Sequence, residues 1–173
     1  MVVGPVFLTE KISPLAKEIV ALDPSEKMIS ILIDKKLPNV TAVSEELSES
    51  LIKGNKLFLD KFDLIVASSV CSFLPEYEKT LGQLKSLLVP DGSFVQWDWL
   101  TTDDNSDFGL SRDQMVSVYN KVGLKLKALE QIFSLNSSEG DMPVIMGLQI
   151  IPNPSLQLTL NLSRFTLPDC FRC

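Results

Sequence analysis

The sequence predicts a three-layer α/β domain built on a doubly wound, mostly parallel sheet, with an antiparallel strand near the C-terminus. Three stretches carry that expectation. Phe62-Asp63-Leu64-Ile65-Val66-Ala67 is almost unbroken apolar, as a parallel strand covered on both faces must be. From Pro75 a helical run places Tyr77, Leu81, Leu84 and Leu88 at i, i+4, i+7 and i+11. Pro90-Asp91-Gly92 then stops the helix, and Ser93 to Trp99 returns as a strand. Ligands of such sheets sit at the carboxyl ends of the strands, so the pattern points to a place before it points to a chemistry.

The remaining elements follow in chain order. Phe7 to Lys17 reads as helical, interrupted at Pro14, and Glu18 to Leu22 as a short apolar strand. Asp23-Pro24-Ser25-Glu26 is a helix start: an acceptor at the cap, proline in the first turn, glutamate three residues on. Met28, Ile29, Leu32 and Ile33 give that helix its buried side. Asn39 to Val43 is a strand after the Pro38 breaker, and Glu45 to Lys53 a short helix before a turn at Lys53-Gly54-Asn55. The loop Thr101 to Phe108 is acidic and polar, and it sits where a strand end meets the next helix. Ser111 to Val122 is helical, with Met115, Val118 and Val122 on one face and Gly123 as its stop. Two strands near Gly123–Phe133 and Val144–Ile151 are joined through Ser137-Ser138-Glu139-Gly140-Asp141. Beyond Pro152-Asn153-Pro154, Leu156, Leu158, Leu160 and Leu162 alternate with polar residues, the period of a half-buried edge strand. Residues 1–151 are therefore expected to form one domain and residues 152–173 a C-terminal extension with an extra strand.

Composition narrows the function. With 173 residues and 45% apolar content, the chain can bury the core of a single domain. A net charge of -6 without a Lys/Arg stripe argues against nucleic acid as a partner. No apolar run reaches the ~20 residues that span a bilayer. Met1 to Leu8 lacks the basic start and cleavage site of a signal peptide, so a cytoplasmic location is expected. Of three cysteines, Cys71 reads as a small apolar group. Cys170 and Cys173 form a C-x-x-C with no second ligand pair, and with no histidine in the chain no metal site is expected.

Asp63-Leu64-Ile65-Val66, the polar pair after it, and a helix ending in Leu87-Leu88-Val89-Pro90-Asp91-Gly92 before a strand together resemble class I S-adenosylmethionine-dependent methyltransferases of the small-molecule type. The family's Leu-Lys-Pro-Gly-Gly turn is written here as Leu-Val-Pro-Asp-Gly. The likeness extends upstream through Leu8-Thr9-Glu10-Lys11 and Val20-Ala21-Leu22-Asp23-Pro24-Ser25-Glu26-Lys27-Met28, and in all covers residues 4 to 151.

That resemblance implies a Rossmann-like methyltransferase fold with S-adenosyl-L-methionine as cofactor. It places Asp23, followed by Pro24, where a carboxylate accepts hydrogen bonds from both ribose hydroxyls; on the residues alone, Asp23 reads first as the cap of the helix begun by Pro24. Met28 would touch the adenine face, or simply pack in the core. Ser44 and Glu45 follow the third family strand and would face the adenine amino group, or form a solvated loop. Ser68, with Ser69, would lie beside the sulfonium and amino-acid portion, or be polar residues at a strand end. Trp97-Asp98-Trp99 would offer an aromatic wall and a carboxylate base, or place tryptophans under flanking helices.

The chain departs from the family at the glycine-rich loop. Gly4 matches only the second glycine of Gly-x-Gly-x-Gly, with Val2 and Val6 in the other two places, and branched valine neither takes positive φ cheaply nor leaves room. Too few residues precede Gly4 for the family's central first strand. The expectation is thus an N-terminally truncated fold lacking that strand and most of the loop. The leading function is methyl transfer from S-adenosylmethionine to a small-molecule acceptor, catalysed mainly by alignment. The alternative is a non-catalytic methyltransferase-fold protein, truncated or partner-binding, with weak or no cofactor binding. A nicotinamide-dependent dehydrogenase also uses Gly and Asp at this spacing, but the Leu-Val-Pro-Asp-Gly turn and the two late strands weigh against it. Nothing in the sequence names the acceptor or the oligomeric state.

Overall fold

The computed structural model describes residues 1–3, 6–102, 108–137 and 140–149. Gly4, the C-terminal extension at 152–173 and its Cys170/Cys173 pair lie outside them. Seven strands form one sheet: β1 (Val2–Val3), β2 (Ile19–Leu22), β3 (Val40–Val43), β4 (Phe62–Ser68), β5 (Leu88–Trp99), β6 (Ala128–Ser137) and β7 (Gly140–Gln149). Their order is β3-β2-β1-β4-β5-β7-β6. β1 to β5 run parallel, and β7 lies antiparallel between β5 and β6. Five α-helices accompany them among the described residues: α1 (Val6–Ile12), α2 (Glu26–Asp34), α3 (Glu49–Gly54), α4 (Tyr77–Ser86) and α5 (Arg112–Val122).

The centre of the sheet is not vacant. Val2 and Val3 pair with Ala21 and Leu22 on one side and with Val66 and Ala67 on the other. Met1 extends the contact: its carbonyl accepts from Val66 N at 3.0 Å, and its ammonium donates to Leu64 O at 2.8 Å. The expected loss of the first strand is therefore corrected to a strand of two residues. The physical reason is that a gap between β2 and β4 would strand buried backbone donors and acceptors, and two paired residues already bridge it. Val6, standing where the family has a glycine, opens α1 and carries no positive φ, so it stores no backbone strain.

Strand parity sets the layers. Ile65, Ala67 and Phe94 face one side, under Leu51 of α3, Leu81 and Leu84 of α4, and Met115 and Tyr119 of α5. Val66, Val95 and Trp97 face the other, under Val6 and Leu8 of α1 and Leu32 of α2. Both tryptophans pack on this second side, Trp97 buried and Trp99 half-buried. Helix termini follow the capping residues. Ser48 accepts from Leu51 N, so α3 begins at Glu49 rather than Glu45, and Glu45 to Leu47 remain a loop. Ser111 and Gln114 form a capping box for α5, and Gly123 closes it at φ 69°.

β5 starts earlier than expected. Leu88 pairs with Phe62 and Ser93 with Leu64, so Pro90-Asp91-Gly92 is a bulge within the strand, not a stop before it. Gly92 is required there: a Cβ would lie 3.0 Å from Phe62 O and 3.1 Å from Val89 O. Gly92→Ala is expected to cost ~1–2 kcal/mol by overpacking, read as a lower urea midpoint at unchanged slope.

Candidate functional site

The strand order reverses between β1 and β4, and loops that follow strands on either side of such a point splay apart to leave a crevice. A cavity of about 270 Å³ opens there, close to the roughly 300 Å³ at which small-molecule sites begin. Its walls are Leu22, Asp23 and Pro24 after β2, Glu45 to Leu47 after β3, Ala67 and the Ser69–Pro75 loop after β4, and Thr80 and Leu84 of α4.

Asp23 stands in the cavity wall, half-buried. It is not the cap of α2: Ser25 holds that position and accepts from Met28 N. Asp23 Oδ1 instead accepts from Ser25 N at 2.8 Å, which fixes the carboxylate's direction. Burial raises its pKa, and the bond from Ser25 opposes the rise. Oδ2 makes no hydrogen bond within the described residues.

Of the other residues expected at a cofactor, Pro24 and Glu45 line the cavity beside Asp23. Ser44 is exposed and stands outside it. Met28 is half-buried against the α1/α2 side of the sheet, also outside the cavity. Ser68 ends β4 fully buried, whereas its neighbour Ser69 forms part of the wall. Ser69 takes φ 51°, rare for a residue with a Cβ, while its N–H donates to Trp97 O at 2.7 Å. Among the described residues neither serine hydroxyl has a partner. Buried polar atoms without partners are uncommon, and one of these, Ser69 Oγ, belongs to the cavity wall. Strain of this kind gathers at ligand sites.

The sequence did not single out the rest of the wall. Val70, Leu74 and Pro75 are apolar residues in a loop, where polar ones are usual, and that anomaly was the available signal. Farther out, Phe73, 59% exposed, meets Phe108 edge-on at 6.0 Å, and Phe108, 43% exposed, stacks on Trp99 at 5.8 Å. These aromatics form a rim over the carboxyl ends of β4 and β5.

Beneath the rim lies a buried polar group. Gln96 and Asp98 share the α4/α5 face of β5 by strand parity, and both are fully buried. Gln96 Nε2 donates to Asp98 Oδ2 at 2.9 Å, and Ser72 N donates to Asp98 Oδ1 at 3.1 Å. Tyr77 and Tyr119 hydroxyls donate to Gln96 Oε1 at 2.9 and 3.4 Å. Burial pushes Asp98 up to about 6 against the opposing hydrogen bonds. Among the described residues no cluster of His, Cys, Asp and Glu could hold a metal ion, and no helix is long and apolar enough to cross a membrane.

Residues 5–94 match the family described as "Methyltransferase domain". No curated protein matches the sequence. Among solved structures, an S-adenosylmethionine-dependent methyltransferase from Aquifex aeolicus is 19% identical, with a TM-score of 0.63 over 86% of this chain and 80% of that one. A putative methyltransferase from Bacillus halodurans is 10% identical, with a TM-score of 0.66 over 88% and 92%. Magnesium protoporphyrin IX methyltransferase from Synechocystis, solved with bound S-adenosylmethionine, is 13% identical, with a TM-score of 0.62 over 86% and 68%.

Proposed function

The chain belongs to the class I S-adenosylmethionine-dependent methyltransferase family, and from that membership we propose that its cavity binds S-adenosyl-L-methionine for methyl transfer to a small-molecule acceptor. The observation that carries the reading is the meeting of Asp23 with Ser69, whose buried hydroxyl has no partner among the described residues, in one cavity at the strand-order reversal. The residues present fit the group. Asp23 offers an oriented carboxylate with one oxygen unused, which suits a vicinal diol. Leu47, Val70 and Leu74 supply an apolar wall for an adenine ring, with Glu45 at its edge. Ser69 offers its hydroxyl to the polar end of the ligand. Asp23, Glu45 and Glu46 together favour a ligand bearing positive charge.

When bound, the cofactor supplies an electrophilic methyl group on a sulfonium. The chain's part is alignment: the loops after β2, β3 and β4 hold the donor, and the acceptor approaches over the rim of Phe73, Phe108 and Trp99. An apolar or aromatic small molecule suits that rim, and the net charge of -6 disfavours nucleic acid.

Calorimetric titration with S-adenosylmethionine tests the reading, with saturable one-to-one binding expected. Asp23→Ala should weaken it about tenfold, since charge-assisted bonds contribute ~1.5–3 kcal/mol and each ~1.4 kcal/mol is a factor of ten. Equal affinity for both proteins would sink the ribose assignment. A second reading, that the fold holds cofactor without turnover, is favoured by a central strand of only two residues. Binding without S-adenosylhomocysteine formation across a panel of aromatic acceptors would select it.

A further inference from the structure

The loop that forms the β4 wall of the cavity is held mostly from below. Its 3₁₀ turn, Cys71–Phe73, follows the strained Ser69 and is too short to fix itself by helical bonds alone. Ser72 N donates to Asp98 Oδ1, and Gln96 Nε2 donates to the other oxygen. Gln96 is itself oriented by Tyr77 of α4 and Tyr119 of α5. Cys71, Phe73 and Leu74, on both sides of Ser72, line the cavity. A carboxylate that is wholly buried is thus spent on holding one turn of a ligand-binding loop.

We propose that Asp98 is a positioning residue: its carboxylate pins the Cys71–Phe73 turn, sets the β4 wall of the cavity, and makes the affinity for the occupant depend on the carboxylate's own protonation. The inference rests on the cofactor-binding reading above for its occupant, though not for the pinning itself. The groups that face Asp98 among the described residues are the Cys71 thiol from the turn, the Tyr77 phenol from α4 and the Tyr119 phenol from α5. Burial pushes all three upward, so they remain neutral over the working range, and no lysine or arginine contributes to the carboxylate's environment. Protonation near pH 6 therefore meets no compensating cation. It turns the charge-assisted bond from Ser72 N into a weaker neutral one and places a proton on an oxygen already facing a donor.

The sign follows from the raised pKa. If the tightly bound form needs the carboxylate charged, affinity is full above about pH 7 and falls as pH drops through about 6. Titrating the protein with S-adenosylmethionine should show up to about a tenfold loss between about pH 7.5 and about pH 5, where one proton must be released on binding. Asp98→Asn should bind at neutral pH as weakly as the acidified parent, with this step gone from its profile. A merely structural role would lower stability without moving the pH profile, so an unchanged step near pH 6 in Asp98→Asn overturns the proposal. A readout without cofactor or variant separates the two readings: the Ser72 amide resonance should titrate near pH 6 as its acceptor is neutralised. If S-adenosylmethionine does not bind at any pH, the cofactor reading fails, and the Ser72 titration still decides the pinning. A Ser72 amide that stays constant across that range overturns it.

Discussion

Phe94→Ala is expected to lower stability by about 3–5 kcal/mol, the range for truncating a buried aromatic side chain that leaves a cavity behind. Phe94 sits on β5 beside Ile65 of β4, is wholly buried, and meets the Tyr119 ring at 5.9 Å. Collapse around the lost ring is limited because its neighbours on both sides are strands held in register. Domains of this kind have in all ~5–15 kcal/mol of stability, so the substitution removes a large share. Thermal unfolding should shift down by about 10 °C or more, at ~2–4 °C per kcal/mol for this size. Phe73→Ala, at a position 59% exposed, is the control and should leave the midpoint nearly unchanged.

Gly147→Val is expected to cost about 3 kcal/mol, through crowding instead of a cavity. A Cβ at Gly147 in β7 would come within 2.8 Å of both Met115 Cε and Tyr119 Oη. These are side-chain ends, but both residues are fully buried between α5 and the sheet and have little room to withdraw. The hydroxyl of Tyr119 would be driven from Gln96, changing the near-ultraviolet signal of the tyrosine as well as the midpoint. Tyr119→Phe removes the colliding oxygen, so it should recover part of the loss in Gly147→Val but none of the loss in Phe94→Ala. Such a coupling is measurable in a double-mutant cycle because the two groups touch.

The parallel sheet was legible where strands are long, apolar and separated by helical periods, as from Phe62 through Trp99. β1 was not legible, because two residues carry no periodicity and its only signature is pairing with segments far along the chain. The start of β5 was misread for a local reason: Pro90-Asp91-Gly92 has the composition of a stop, and a bulge uses the same residues. Asp23 and Glu45 were readable as side chains at strand ends, while the cap fell to Ser25, since two acceptors in adjacent turns differ only in geometry. The choice between Ser68 and Ser69 depends on a positive φ at the second, which nothing in their shared chemistry announces. The Gln96/Asp98 pairing was implicit in a period of two, but the flanking tryptophans drew the reading to the opposite face.

The strand order divides labour along the chain. Every described residue that lines the cavity falls between Leu22 and Leu84, whereas β6 and β7 join the sheet only at the far edge of β5. The late hairpin is therefore an exchangeable module: a chimera that keeps residues 1–127 and takes a foreign antiparallel pair retains the entire described cavity wall. What limits such grafting is the reach of Tyr119 across Gly147 to Gln96, so a transplanted hairpin would have to supply a glycine at that point.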